Sequence, residues 1–228
     1  MIIIKLYGGL GNQLFQYSIG RKLSIIHKTS LKFDISDFYK YKNMHKVGIG
    51  IKKFNIKFQV AKPKDFDLCF FIKSNLIIKL IKRISSRLFS YINDLFSKNY
   101  FYEKNYFKFY EKYILYKDAY FHGFWQNEKY FSDIRKTLIK EINLKPNRKK
   151  HSDLLNLIKN KNSVAVHIRR GDKTLKKNQS MFALPKLNYF IRSIEYMKKN
   201  LKNPFFLFFS DDIEWVKKTF QKNIIENL

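Results

Sequence analysis

IIIKLYGGLGNQLFQYSIGRKLSIIHKTSLKFD, Ile2 to Asp34, decides the fold class. Ile2 to Tyr7 is a short, mostly apolar run of the kind that forms a buried parallel strand. It opens into Gly8-Gly9-Leu10-Gly11-Asn12-Gln13. A helical pattern follows through Leu14, Tyr17, Ser18, Arg21 and Leu23 to near His27, and Leu31 to Asp34 reads as a second strand. Strand, glycine turn, helix, strand predicts a right-handed crossover in a parallel sheet. Amides in the turn and at the helix start form a natural cradle for an anion or ligand. Gly9, Gly11 and Asp34 invite a dinucleotide fingerprint, but Leu14 stands where its third glycine belongs. A tight turn suffices to explain the glycines. It does not explain Asn12 and Gln13, two polar side chains expected to aim outward from the strand end.

Ser163 to Asp172, SVAVHIRRGD, repeats the theme. Val164, Ala165 and Val166 make a buried strand that delivers His167, Arg169, Arg170, Gly171 and Asp172 to its carboxyl end, where open α/β sheets bind ligands. Arg169 and Arg170 offer planar donor forks that match phosphate oxygens in pairs. Asp172 either orients one guanidinium or takes part in proton transfer. A solvated basic turn is the competing reading of the same residues.

Between these stretches, Val47 to Val60 suggests one or two strands, and Ala119 to Trp125 another, followed by a helix over Glu128 to Ile142. Tyr100 to Tyr116 reads as an aromatic core segment with solvated lysines. Ile77, Ile81, Ile84, Leu88, Ile92 and Leu95 share one face of an amphipathic helix whose other face carries Lys79, Lys82, Arg83 and Arg87. Such a helix suits packing on its own domain or an anionic membrane surface. Lys145 to Lys150, polar and broken by Pro146, is the candidate boundary and divides the chain into residues 1–147 and 148–228. Beyond it come a helix at His151 to Lys159, one begun by Pro185, an apolar strand at Phe205 to Phe209, and a helix at Ile213 to Gln221.

The chain of 228 residues carries 46 Lys and Arg against 18 Asp and Glu, a formal charge of +28. That charge attracts polyanions. Yet the lysines are scattered among abundant Ile, Phe, Tyr and Asn, and nucleic acid is not an expected partner. Cys69 is the single cysteine, which excludes a disulfide framework and fits a reducing compartment. Ile2 to Ile4 is too short for the core of a secretory signal, and no run of 18 or so apolar residues predicts a spanning helix. The expected location is cytoplasmic, with peripheral contact at the cytoplasmic face of an anionic membrane.

Four segments together resemble the family 11 glycosyltransferases, the α-1,2-fucosyltransferases: Gly8–Tyr17 (GGLGNQLFQY), Gly123–Phe131 (GFWQNEKYF), His167–Asp172 (HIRRGD) and Phe206–Trp215 (FLFFSDDIEW). The resemblance implies an α/β, GT-B-like fold of two Rossmann-like parallel-sheet domains, the first on the acceptor side and the second binding GDP-fucose. It implies inverting transfer of L-fucose from GDP-fucose to a galactose 2-hydroxyl of a surface glycan, lipid-linked in one version, without a metal or other cofactor. By position, His167, Arg169, Arg170, Ser210, Asp211 and Asp212 bind the donor, and Gly9, Gly11, Asn12 and Gln13 line the acceptor side. Arg169, Asp172 and Asn12 are the expected catalytic residues. Family members continue past the point where this chain stops, Leu228, so the expectation is a C-terminally truncated member with an incomplete second domain and weak or no activity. Asp211 and Asp212 are adjacent at a helix start, which favours capping and donor positioning over metal ligation. The alternative from another class is a non-catalytic basic protein on anionic membrane or nucleic acid.

Overall fold

The computed structural model describes residues 1–40, 48–68, 99–144, 148–171 and 185–220. Asp172, Cys69, the basic helix expected around 77–95 and the start of the boundary segment at 145–147 lie outside the described residues. The chain divides into two compact units, Met1–Pro146 and Asn147–Leu228.

In the first unit, β1 (Ile2–Lys5), α1 (Leu10–Ile26) and β2 (Leu31–Asp34) form the expected crossover. After α2 (Ser36–Lys40), β3 (Tyr100–Tyr102) and β4 (Ala119–His122) complete a sheet in the order β2-β1-β4-β3. Every pairing is parallel, with Ile4 opposite Phe33 on one side and Phe121 on the other. As a central strand β1 is buried on both faces: Ile2 and Ile4 join Leu23, Phe33 and Phe121 beneath α1, while Ile3 packs with Tyr100 and Tyr120. Each such side chain removed from water contributes roughly 1.5–3 kcal/mol. Gly20 lets α1 approach the sheet, since a Cβ there would lie 2.5 Å from Ile4 Cγ1.

Among the described residues, 48–60, the strands expected within Val47–Val60 are not formed. That stretch holds a 3-10 turn at Gly50–Lys53 and two isolated bridges, Phe33 to Val60 and Phe54 to Leu144. The helix expected over Glu128–Ile142 is two 3-10 turns, Glu128–Tyr130 and Ser132–Ile134, leading into α3 (Arg135–Glu141). Asp34 caps no ribose-type site. It is buried, accepting from the Tyr120 hydroxyl at 2.6 Å and the Ser36 amide at 2.9 Å.

The second unit contains α4 (Arg148–Asn160), β5 (Asn162–Ile168), α5 (Leu187–Asn200), β6 (Pro204–Ser210) and α6 (Ile213–Phe220). β5 and β6 pair in parallel from Asn162 opposite Pro204 to Ile168 opposite Ser210. Val166 and Ile168 face a core of Phe190, Ile194, Val216 and Phe220 from α5 and α6. α5 begins two residues after Pro185, with Lys186 as its N-cap, so the proline sits outside the helix rather than in its first turn. Parallel sheets with crossover helices give the α/β, GT-B-like class expected from the sequence. Among the described residues no helix is long and apolar enough to cross a membrane.

Candidate active site

In the first unit the chain leaves β1 toward β2 on one side, and β4 lies on the other. This reversal makes the carboxyl ends of β1 and β4 the topological switch point, the usual ligand position in an open parallel sheet. Two sequence-distant segments meet there, Gly8–Tyr17 and Gly123–Phe131. Buried Gln16 fastens them: its Oε1 accepts from the Tyr7 amide at 3.2 Å, and its Nε2 donates to the Gly123 carbonyl at 3.1 Å. Outside this fastening, Gln126 Nε2 donates to Asn12 Oδ1 at 2.7 Å. His122, at the end of β4, shares a 2.6 Å hydrogen bond between Nδ1 and the Tyr100 hydroxyl and meets the rings of Tyr7 and Tyr102 edge-on.

The glycines of the turn divide by role. Gly8 has φ +77°, and a Cβ on it would stand 2.5 Å from Asn12 Nδ2, so the fold itself requires glycine. Gly9 and Gly11 are exposed, and a Cβ on either meets nothing within 4 Å. A tight turn, expected to explain all of them, explains only Gly8. α1 starts at this point with Gly9 as its N-cap, no side-chain cap and no acid in its first turn. Its first amides therefore face outward over two bare glycines beside Asn12, a surface able to donate to sugar or phosphate oxygens.

Gln13 departs from expectation. It does not aim outward with Asn12 but is fully buried. Its Nε2 donates to the Gly8 and Gly48 carbonyls at 3.0 Å each, and its Oε1 accepts from the Ile51 amide at 3.3 Å. Those bonds fasten the Gly48–Lys53 segment to the helix start and leave Gln13 no surface for a ligand.

Glu103 and Gln16 were missed by sequence reasoning. The Glu103 carboxylate accepts from the Phe124 and Trp125 amides at 2.7 and 2.9 Å. Burial pushes its acidity constant above the usual carboxylate range, against the pull of those two amides. Glu103 lies in a lysine- and aromatic-rich run with no periodic signal, whereas Gln16 stood inside a recognised motif.

In the second unit, the turns after β5 and β6 interlock. Ser210 Oγ donates to the Ile168 carbonyl at 2.7 Å and accepts from the Asp212 amide at 3.0 Å. Asp211 Oδ1 accepts from the Arg170 and Gly171 amides at 2.8 and 3.2 Å. These two amides, with the Arg169 guanidinium nearby, hold the Asp211 carboxyl below its usual range. Gly171 is glycine because a Cβ would lie 2.5 Å from Asp211 Oδ2. Asp212 caps α6, accepting from the Trp215 amide at 3.3 Å.

Arg170 was expected to pair with Arg169 as a phosphate fork. Instead its Nε donates to Asp212 Oδ2 at 3.1 Å, and its guanidinium lies 3.8 Å over the Trp215 ring. The stack and ion pair spend Arg170 on joining the two turns. Arg169 is exposed at the same strand end. His167 is exposed too, and with Val164, Ala165 and Val166 lines a cavity of about 360 Å³ against α5. Among the described residues no cluster of three or more His, Cys, Asp or Glu is placed to hold a metal ion.

A family model described as glycosyl transferase family 11 matches residues 1–226. The chain belongs to glycosyl transferase family 11. An Escherichia coli alpha-1,2-colitosyltransferase is 35% identical over 225 residues, covering 96% of this chain and 71% of the relative. An Escherichia coli O-antigen biosynthesis glycosyltransferase is 29% identical over 241 residues, covering 94% and 74%. No solved structure matches. Membership makes glycosyl transfer the chemistry of this chain, from a nucleotide-sugar donor to a glycan acceptor. The matched span contains all four segments, two in each unit.

Proposed function

We propose that this family 11 glycosyltransferase moves L-fucose from GDP-fucose to the 2-hydroxyl of a galactose in a surface glycan, with inversion. The observation that carries this reading is the Asp211-locked turn, which presents Arg169 outward while Arg170 is held on Trp215. In the proposed reaction the acceptor oxygen forms a bond to the fucose anomeric carbon as the bond to the diphosphate breaks. A base takes the hydroxyl proton, and negative charge collects on departing GDP. The Arg169 guanidinium meets that charge where it develops, in the role a divalent cation plays in other glycosyltransferases. No metal is assigned, because Asp211 and Asp212 already serve amides, the α6 cap and Arg170. Gly9, Gly11 and Asn12 take the acceptor side of the proposal. Asp172 keeps its place as the sequence candidate for orienting arginine or moving the proton.

The 35% identical colitosyltransferase supports a second reading in which the donor sugar is colitose. The test is incubation of the purified chain with a β-galactoside and each GDP-sugar separately, with product linkage read by NMR. An α-1,2-fucosyl product is expected. Product from the colitosyl donor alone would replace the fucosyl assignment, and product from neither would overturn both. GDP titration by calorimetry should show Arg169→Ala binding at least tenfold more weakly. Unchanged affinity would remove Arg169 from the donor site.

A further inference from the structure

Glu103 is the most deeply buried of the described acids. It is 1% exposed, with Asp34 and Asp65 next at 7%. Its position follows from β3, whose last residue, Tyr102, pairs with His122 at the end of β4. The next residue on each strand is therefore Glu103 and Gly123, side by side at the carboxyl edge of the sheet. The Glu103 amide donates to the His122 carbonyl at 2.9 Å, continuing the ladder one step beyond the strands. Gly123 must lack a side chain, because a Cβ would stand 2.4 Å from Glu103 Cβ and 2.8 Å from its Oε2.

The carboxylate then folds over the next two residues. One oxygen, Oε2, accepts from two successive amides, Phe124 at 2.7 Å and Trp125 at 2.9 Å. Two consecutive amides converge on one oxygen only where the backbone curls around it. Trp125 accordingly has φ +57°, a left-handed conformation that a bulky residue adopts at a cost. The remaining polar atoms, Glu103 Oε1 and Trp125 Nε1, are buried without a hydrogen-bond partner among the described residues. A buried carboxylate, a left-handed tryptophan and two unsatisfied atoms are three separate burdens on stability at one turn. Hydrophobic packing alone does not require them. Their shared consequence is the direction of the next residue, Gln126, whose side chain donates to Asn12 at the start of α1.

We propose that Glu103 is a positioning residue of the acceptor side: its buried carboxylate fixes the Phe124–Trp125 turn and thereby sets Gln126 on Asn12. This rests on the acceptor role given above to Asn12 and the α1 start. Glu103 touches no substrate itself. It acts through two backbone amides, so an oxygen at Oε2 is what matters and a full negative charge is not. A glutamine side chain keeps that oxygen and the length of the chain. An aspartate keeps the charge but withdraws the oxygen by one methylene.

The experiment compares Glu103→Gln, Glu103→Asp and Glu103→Ala in the full chain. E103D should raise the KM for the galactoside at least tenfold with GDP affinity unchanged, and E103Q should stay within about threefold of the parent. E103A should resemble E103D or lose more; if it fails to fold, the E103D and E103Q pair decides. Equal KM values in E103D and the parent would overturn the proposal, as would E103Q behaving like E103D. A fall in kcat with KM unchanged would also overturn it. A parent chain that transfers no sugar would count against the proposed function and leave a separate readout for Glu103. The Gln126 side-chain amide should exchange slowly in the parent and E103Q and quickly in E103D. Identical exchange in all three would overturn the positioning role whatever the activity.

Discussion

Gly11→Ala should raise stability and lower activity at once. Gly11 is the second residue of α1, whose N-cap is Gly9 and whose span is Leu10–Ile26. Its φ is not in the left-handed region, and a Cβ would meet nothing within 4 Å. Within a helix alanine is favoured over glycine by roughly 0.5–1 kcal/mol, because glycine loses more backbone freedom on folding. For a unit of this size that corresponds to a rise of about 1–4 °C in unfolding temperature, readable by calorimetry. Gly8→Ala supplies the opposite control, since φ +77° and the 2.5 Å approach to Asn12 Nδ2 make it destabilising. If the exposed glycines admit a ligand to the α1 amides, the methyl group of G11A obstructs it, and a tenfold fall in kcat/KM corresponds to about 1.4 kcal/mol. The decisive pattern is a more stable enzyme that transfers sugar more slowly. A stabilised variant with full kcat/KM would refute the ligand reading of these glycines, and a destabilised one would refute the helix geometry.

Three other substitutions probe the strand ends and the pH response. Gly171→Ala drives a methyl group against Asp211 and detaches that carboxylate from the two amides it holds; the expected loss is roughly 1–2 kcal/mol of stability, with weaker GDP binding, and calorimetry reads both. Arg170→Lys removes the stacked fork over Trp215 and weakens a half-exposed ion pair, which together should cost about 1–2 kcal/mol in chemical denaturation; no change would show that the stack contributes nothing. Asp65, buried beside Lys32 Nζ at 2.7 Å and the Lys62 amide, is held below its ordinary value of 3.8 by those hydrogen bonds. A carboxyl depressed in the folded state contributes stability that is fully present above the unfolded value and is lost as pH falls through the folded one. The stability gap between the parent and Asp65→Asn should therefore be constant near neutral pH and shrink below about pH 4, whereas a gap unchanged at pH 3 would contradict the assignment.

The strands were legible because their signals are local. Ile2–Lys5 and Pro204–Ser210 are mostly apolar runs bounded by polar turns, Leu31–Asp34 alternates apolar with charged residues, and each forms within a residue or two of expectation. The Val47–Val60 stretch also looked strand-like, but among its described residues only isolated bridges form, Phe54 to Leu144 and Val60 to Phe33. There the Phe33 amide reaches the Gln59 carbonyl and the Ala61 amide reaches the Phe33 carbonyl, a single bridge at the edge of β2. Pairing depends on what lies alongside, and alternation of side chains does not encode it. Asn12 and Gln13 show the same limit. Adjacent residues on a helix point about 100° apart, so one faces outward and the other inward. Which one is buried is decided by the Gly48 carbonyl, 35 residues away in sequence.

That limit also explains why the two arginines of the expected fork part company. Arg169 and Arg170 are indistinguishable by chemistry, and the strand end alone gives no reason to separate them. Trp215 of α6 and its cap Asp212 claim one and leave the other exposed. The acceptor-side segment divides in the same way. Gly8, Gln13 and Gln16 are consumed in joining strand ends, while Gly9, Gly11 and Asn12 remain at the surface. Both motifs thus contain a fastening set and a presenting set, and only contacts from distant sequence sort residues between them. The consequence is a narrower site. Substitutions in the fastening set should act through stability and geometry, and substitutions at Arg169, Gly9, Gly11 or Asn12 should act on substrate with the fold intact.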